Sequence, residues 1–186
     1  MVSLEKLENW PSPKNTRIML ITGIILVIII LPIMSYFFTI SKFPVSFVES
    51  QLSFSGEVLK QHYAVMLAAN GLAAYRTAQI LDYVYMLSYG LVYFCLALII
   101  ARRFDTTSQW RQSGYYIAVG GILAACLDAI ENAFILATLI NPLGFPNWWA
   151  IAHSCFALVK FILLYSAMGW LSLTALSRLI LRFKSK

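Results

Sequence analysis

Apolar residues fill four long stretches of the chain, and polar residues interrupt them at only a few points. The first stretch, ITGIILVIIILPIMSYFFTI, follows Arg17 and is almost uniformly apolar. The others centre on LVYFCLALII, on GGILAACLDAIENAF and on the segment that starts at Trp148 and runs past Trp170. Each exceeds the roughly 18 to 20 residues that a spanning helix needs. The pattern predicts an all-α polytopic membrane protein, a four-transmembrane-helix bundle with spans at about 18–40, 80–101, 114–140 and 148–172. Little chain is left outside the spans, so residues 1–186 read as a single membrane domain.

The connections are unequal. Residues 41–79 form the only sizeable one. Within it, Ser55-Gly56-Glu57 has the form of an N-cap with an acid in the first turn, and Asn70-Gly71 that of a C-terminal stop. Between them, VLKQHYAVMLAA predicts an amphipathic helix at about 56–69 that lies along the outer, extracytoplasmic surface. The link NPLGFPN is an uncharged tight turn that makes spans three and four antiparallel neighbours. The first apolar run also follows basic residues, as in a signal peptide. It exceeds the usual signal core of about 7 to 15 residues and lacks an A-x-A-like site, so an uncleaved first span is expected. Pro32 within it removes one backbone donor and predicts a kink.

Composition agrees with this reading. The chain is 60% hydrophobic and only 12% charged, against about a quarter charged in soluble domains. Its net charge of +6 is not a nucleic-acid signature, because the basic residues cluster at span ends, where they meet lipid headgroups. Lys6, Lys14 and Arg17 precede span one; Arg102, Arg103 and Arg111 flank the link after span two; Arg178, Arg182, Lys184 and Lys186 close the chain. The first link holds Lys42, Lys60 and Arg76 in a longer stretch, and the third holds no cation. The positive-inside rule places both termini in the cytoplasm and the protein in the cytoplasmic membrane.

Candidate chemistry lies inside the spans. An ionisable residue at the bilayer centre costs about 2.5 to 3.5 kcal/mol on insertion scales, so each one there needs a reason. Span three carries Asp128, Glu131 and Asn132 as D-x-x-E-N, which puts three polar groups on adjacent turns of one face. Span four carries His153 and Lys160. At 1.5 Å per residue, Asp128 and Lys160 each fall about 18 Å below the outer ends of their spans, Glu131 about 13 Å and His153 about 8 Å. Asp82 is expected close to the outer surface. Asp82, Tyr85, Tyr89 and Tyr93 share one helical face of span two, which predicts that this face points into the bundle.

Two readings of this cluster compete. In one it is a buried ion pair, Lys160 with Asp128 or Glu131, with Asn132 and Tyr89 completing the hydrogen bonds. In the other, a carboxylate left over from that pair, Glu131 or Asp128, exchanges protons or serves as counter-charge to a cationic ligand. His153 fits a seam between helices better than a metal site, which would need more ligands than this depth supplies. No cofactor is expected. Cys95, Cys126 and Cys155 stand singly with no C-x-x-C pair, which argues against thiol-redox chemistry. His62 and His153 are too few for a multi-haem cytochrome. The motifs of serine hydrolases, zincins, P-loops and dinucleotide folds are absent.

At LDYVYMLSYG, LDAIEN and the Lys160 segment, the chain resembles a group of uncharacterised bacterial four-span membrane proteins. In that group an aspartate opens span two before a tyrosine run, D-x-x-E-N follows in span three, and a lysine sits in span four. The resemblance covers roughly residues 45–165 and implies the fold, but carries no activity to transfer. A fainter analogy, at the level of fold, links the chain to four-span sterol-isomerase and sigma-2-receptor-like proteins, whose histidine-and-acid arrangement it lacks. Three functional expectations follow. The leading one is a non-enzymatic protein that binds a small lipophilic or amphipathic molecule, or a partner helix, at Asp128, Glu131, Asn132, Lys160, Tyr89, Asp82 and His153. The rivals are a membrane-embedded acid–base enzyme acting on a lipid or isoprenoid, with Glu131 as acid, and a structural subunit of a membrane complex. Membrane lipids are the expected surroundings in every case, with no nucleic-acid partner.

Overall fold

Helix boundaries follow caps and glycines. In the computed structural model the backbone of residues 4–184 and the side chains of residues 6–177 are described. The side chains of Arg178, Arg182 and Lys184, and all of Lys186, lie outside those residues. After a 3-10 turn at Leu4–Glu8, helix α1 runs over Pro13–Ile40. Ser12 caps it by accepting a 3.2 Å hydrogen bond from the Asn15 amide, and Pro13 occupies its first turn, where a missing N–H costs nothing. Then come α2 (Phe47–Gln51), α3 (Gly56–Ala68), α4 (Leu72–Ala101), α5 (Gln109–Thr138) and α6 (Asn147–Lys184). No strand occurs among the described residues, and α1, α4, α5 and α6 are each long and apolar enough to cross a membrane.

The long helices overrun the expected spans. Helix α4 begins at Leu72, where the sequence after Gly71 already reads as a helix that runs on into the span at about 80; α5 begins at Gln109 rather than 114, and α6 continues to Lys184 rather than 172. Helix α1 runs unbroken through Pro32. The helix expected at 56–69 is α3, capped by Ser55, which accepts from the Val58 amide at 3.3 Å. It ends where Asn70 takes a positive φ of 56° and Gly71 follows. A side chain on Gly71 would meet the Ser41 carbonyl oxygen at 2.0 Å, so the chain can pass here only without one. Helix α2 and the 3-10 turn were not anticipated.

Packing runs in the order α1, α4, α5, α6, each helix lying against the next. Helix α4 is accordingly buried on more than one side, through Tyr75, Ala78, Met86, Tyr89, Phe94 and Leu98 among others. Small residues let the backbones approach: a Cβ on Gly23 would sit 3.0 Å from the Ser88 carbonyl oxygen, and one on Gly121 2.8 Å from the Tyr93 Cβ. Helix α1 buries only Thr16, Gly23, Ile30 and Met34. Its remaining isoleucines face outward, with Ile28 at 66% exposure, which is costly in water and appropriate against lipid tails. Helices α1 and α6 scarcely meet among the described residues, which leaves that side of α4 as a groove.

Each end of the bundle is closed differently. At one end α3 buries Leu59, Tyr63 and Met66 against Ile135, Leu139, Phe145 and Ala150. Tyr63 and Thr138 share a 2.7 Å hydrogen bond, and the Gly56 amide donates to Asn147 Oδ1 at 2.6 Å. At the other end Arg102 donates to the Leu7 carbonyl at 2.9 and 2.7 Å and to Thr16 at 3.2 Å, while Arg111 reaches Glu8 at 3.0 Å. The N-terminal turn is thereby tied to the α4–α5 link.

Candidate functional site

Three helices and one short connection build the polar centre. The D-x-x-E-N run of α5 buries Asp128, Glu131 and Asn132, and the facing side of α6 buries His153 and Lys160. Lys160 Nζ lies 2.8 Å from Asp128 Oδ1 and 2.5 Å from Glu131 Oε2. Its third polar contact is Gln51 Oε1 on α2, at 3.3 Å. An ammonium has three N–H donors, and all three are spent. Lys160 therefore joins both carboxylates at once, where the sequence left a choice between them.

Around this core the partners divide. Tyr89 of α4 donates to Asp128 Oδ2 at 2.7 Å, as its place on the α4 face suggested. His153 Nε2 stands 3.4 Å from Glu131 Oε1, on the side away from Lys160. Asn132 does not complete the ion cluster. One turn beyond Asp128, it donates from Nδ2 to the Gln79 carbonyl at 2.6 Å and pins α5 to α4. Glu131 Oε1 and both ring nitrogens of His153 are buried with no hydrogen-bond partner. Among the described residues, no three His, Cys, Asp or Glu side chains are grouped to hold a metal ion.

Asp82 corrects an expectation. Read from the sequence it belongs near the outer surface, but it lies ten residues, about 15 Å, into α4. The antiparallel register of α4 on α5 fixes its level: Gln79 meets Asn132, and Tyr83 donates to the Ala129 carbonyl at 3.2 Å. Asp82 is thus level with the stretch from Asp128 to Glu131. It lines a cavity of about 250 Å³ together with Tyr85, Tyr89, Tyr93, Asp128 and Lys160. The tyrosine face does point inward.

Glu131, Asn132 and His153 lie behind the cavity wall and are absent from its lining. The groups that face its interior are Asp82, Asp128 and Lys160, with Gln51 and Gln79 as neutral polar neighbours. Met34 and Phe38 of α1, Phe47 and Val48 of α2, and Phe161 and Leu164 of α6 supply the apolar wall. Tyr85, Tyr89 and Tyr93 also line a neighbouring groove of about 420 Å³ between α1 and α6, together with Val27, Val92, Leu96, Met168 and Leu171.

Gln51 and Phe47 of α2 are the residues that sequence reading missed. The signal was present: Ser46 and Glu49 form an S-x-x-E box, and Ser46 does accept from the Glu49 amide at 3.3 Å. Gln79 sits one turn before Asp82 on the same face of α4, a weaker signal. The arrangement can hold a polar head in a wall of aromatic rings, with its tail in an apolar slot. No family model, curated protein or solved structure matches the chain, so the likeness of its motifs to bacterial four-span proteins rests on those residues alone.

Proposed function

We propose that this is a multi-pass protein of the cytoplasmic membrane, with both termini in the cytoplasm. On this reading it takes a small amphipathic molecule from the lipid and holds its polar end at Asp82, Asp128 and Lys160. One observation carries the proposal: the buried polar cluster forms the wall of a cavity, and Tyr85, Tyr89 and Tyr93 of that wall also line an apolar groove between α1 and α6. A cluster serving only to fasten helices has no need of that space, since membrane helices associate through close contact. The volume suits a head group and a single chain rather than a partner helix. Sidedness rests on the positive-inside rule, supported by the N-terminal turn and the arginine-flanked α4–α5 link meeting at one end.

Acid–base catalysis on a lipid or isoprenoid is the second reading, favoured by the carboxyl of Asp82 at the cavity wall. Glu131 is bonded to Lys160 and set back from the cavity, so in that case the acid is Asp82 or Asp128. The binding reading is tested by mass spectrometry of small molecules co-purified with wild type and with Val27→Trp, which plugs the groove. A lipophile retained by wild type and lost from the variant is expected. Identical bulk phospholipid in both, with no enriched species, overturns the reading.

A further inference from the structure

The charges around the cavity do not balance. Asp82, Asp128 and Glu131 stand within electrostatic reach of one another, and Lys160 is the one lysine among them. Lys160 is spent on Asp128, Glu131 and Gln51 and is covered on one side by the Phe161 ring at 4.8 Å. His153 lies behind Glu131 and does not reach the cavity. Asp82 lines the cavity, yet among the described residues it makes no hydrogen bond and no ion pair. A carboxylate in such surroundings is stabilised by a cation.

We propose that the cavity takes the ammonium head of a single-chain lipophilic amine, with Asp82 as its counter-charge and the tail in the α1–α6 groove. This rests on the binding reading above and names the ligand class. The walls fit: Tyr85, Tyr89 and Phe38 line the same cavity as Asp82, and aromatic faces attract a desolvated cation. An anionic head fits poorly, because Lys160 has no donor left for it and Asp82 repels it. A zwitterionic phospholipid brings its phosphate to the same two aspartates, which repel it. From Asp82 to Leu96, fourteen residues along α4, the site runs about 21 Å, long enough for an extended alkyl chain.

The test uses the full chain in lipid nanodiscs and three photo-crosslinking probes with one identical diazirine-bearing chain. One probe ends in a primary amine, one in an alcohol and one in a carboxylic acid, and labelled positions are mapped by peptide mass spectrometry. The amine is expected to label groove residues of α1 and α6 about tenfold more than the alcohol at equal concentration, a difference of about 1.4 kcal/mol. Asp82→Asn should bring the amine down to the alcohol level while alcohol labelling stays as in wild type, which also reports an intact groove. Equal labelling of wild type by amine and alcohol means that Asp82 holds a proton rather than a ligand cation, and overturns this inference while leaving the binding reading intact. Retention of the amine preference in Asp82→Asn overturns it equally. If no probe labels the groove, the binding reading fails with it.

Discussion

Lys160 should be the most expensive single side chain in the molecule to remove. Lys160→Met keeps most of the length of the side chain and deletes its charge, together with the contacts to Asp128 at 2.8 Å, Glu131 at 2.5 Å and Gln51 at 3.3 Å. Counted as hydrogen bonds alone, three contacts at about 0.6 kcal/mol each, the average measured between membrane helices, give about 2 kcal/mol. The larger effect is that two carboxylates lose the cation between them while Glu131 stays fully buried. Breaking a buried ion pair from one side costs about 3 to 5 kcal/mol, and that is the expected loss. It is measured by denaturant-driven unfolding in bicelles, followed by tryptophan fluorescence. The combined variant Lys160→Met, Asp128→Asn, Glu131→Gln removes the stranded charge as well and should recover most of the loss, because neutral replacement of a whole buried pair is often near neutral. A cost below about 1 kcal/mol for Lys160→Met, or a triple variant no more stable than the single one, would refute the claim that the charges are held by each other.

Three further outcomes follow from other parts of the fold. Gly121→Leu pushes a side chain against the Tyr93 Cβ at 2.8 Å and the Phe94 amide nitrogen at 3.3 Å, and should cost about 1 to 3 kcal/mol in the same unfolding assay; unchanged stability would mean that α4 and α5 do not pack as closely as described. His62 on α3 has its pKa lowered from 6.5, mainly by burial, with Glu49 acting in the opposite sense. The folded state therefore binds this proton less readily than the unfolded chain, and the stability that His62 contributes is lost as pH falls below 6.5. Wild type should lose stability with acidification more steeply than His62→Phe, and parallel pH profiles would contradict that account. A fluorescent-protein fusion after Lys186 should be fluorescent and a periplasmic phosphatase fusion there inactive; the reverse pattern contradicts the orientation proposed from the basic residues.

Much of this architecture could be read from the sequence because membrane insertion leaves few alternatives. Four long apolar runs must become four helices, since an unpaired backbone has no partner in lipid. The Asp128–Lys160 contact was also legible: a seven-residue uncharged link fixes an antiparallel pair, and the helical rise then sets both residues at one level. The place of Asp82 was not. Arg76 and Thr77 give α4 a polar start that reads as helix outside the membrane, whereas the first turns bury Tyr75, Ala78 and Gln79. The helix start after Gly71 is legible in the sequence, but counting depth from a span end at about 80 puts Asp82 at the surface, and only the register of α4 on α5 corrects that. Asn132 shows a second limit. Its spacing from Asp128 puts both on one face, but which neighbour it bonds depends on the register of α4, and no sequence pattern carries that register. The role of α2 was hidden for a related reason, because a five-residue helix has too little periodicity to reveal that Gln51 reaches Lys160.

On the proposed binding reading, α1 and α6 flank an occupied slot rather than a closed contact. Electron cryo-microscopy of the protein extracted in native lipid particles, with an antibody fragment for size, tests it directly. The account predicts elongated density between α1 and α6, with one end beside Asp82 and the other near Leu96 and Met168. Helices α1 and α6 packed against each other with the cavity shut, or a slot holding only water at Asp82, would contradict it.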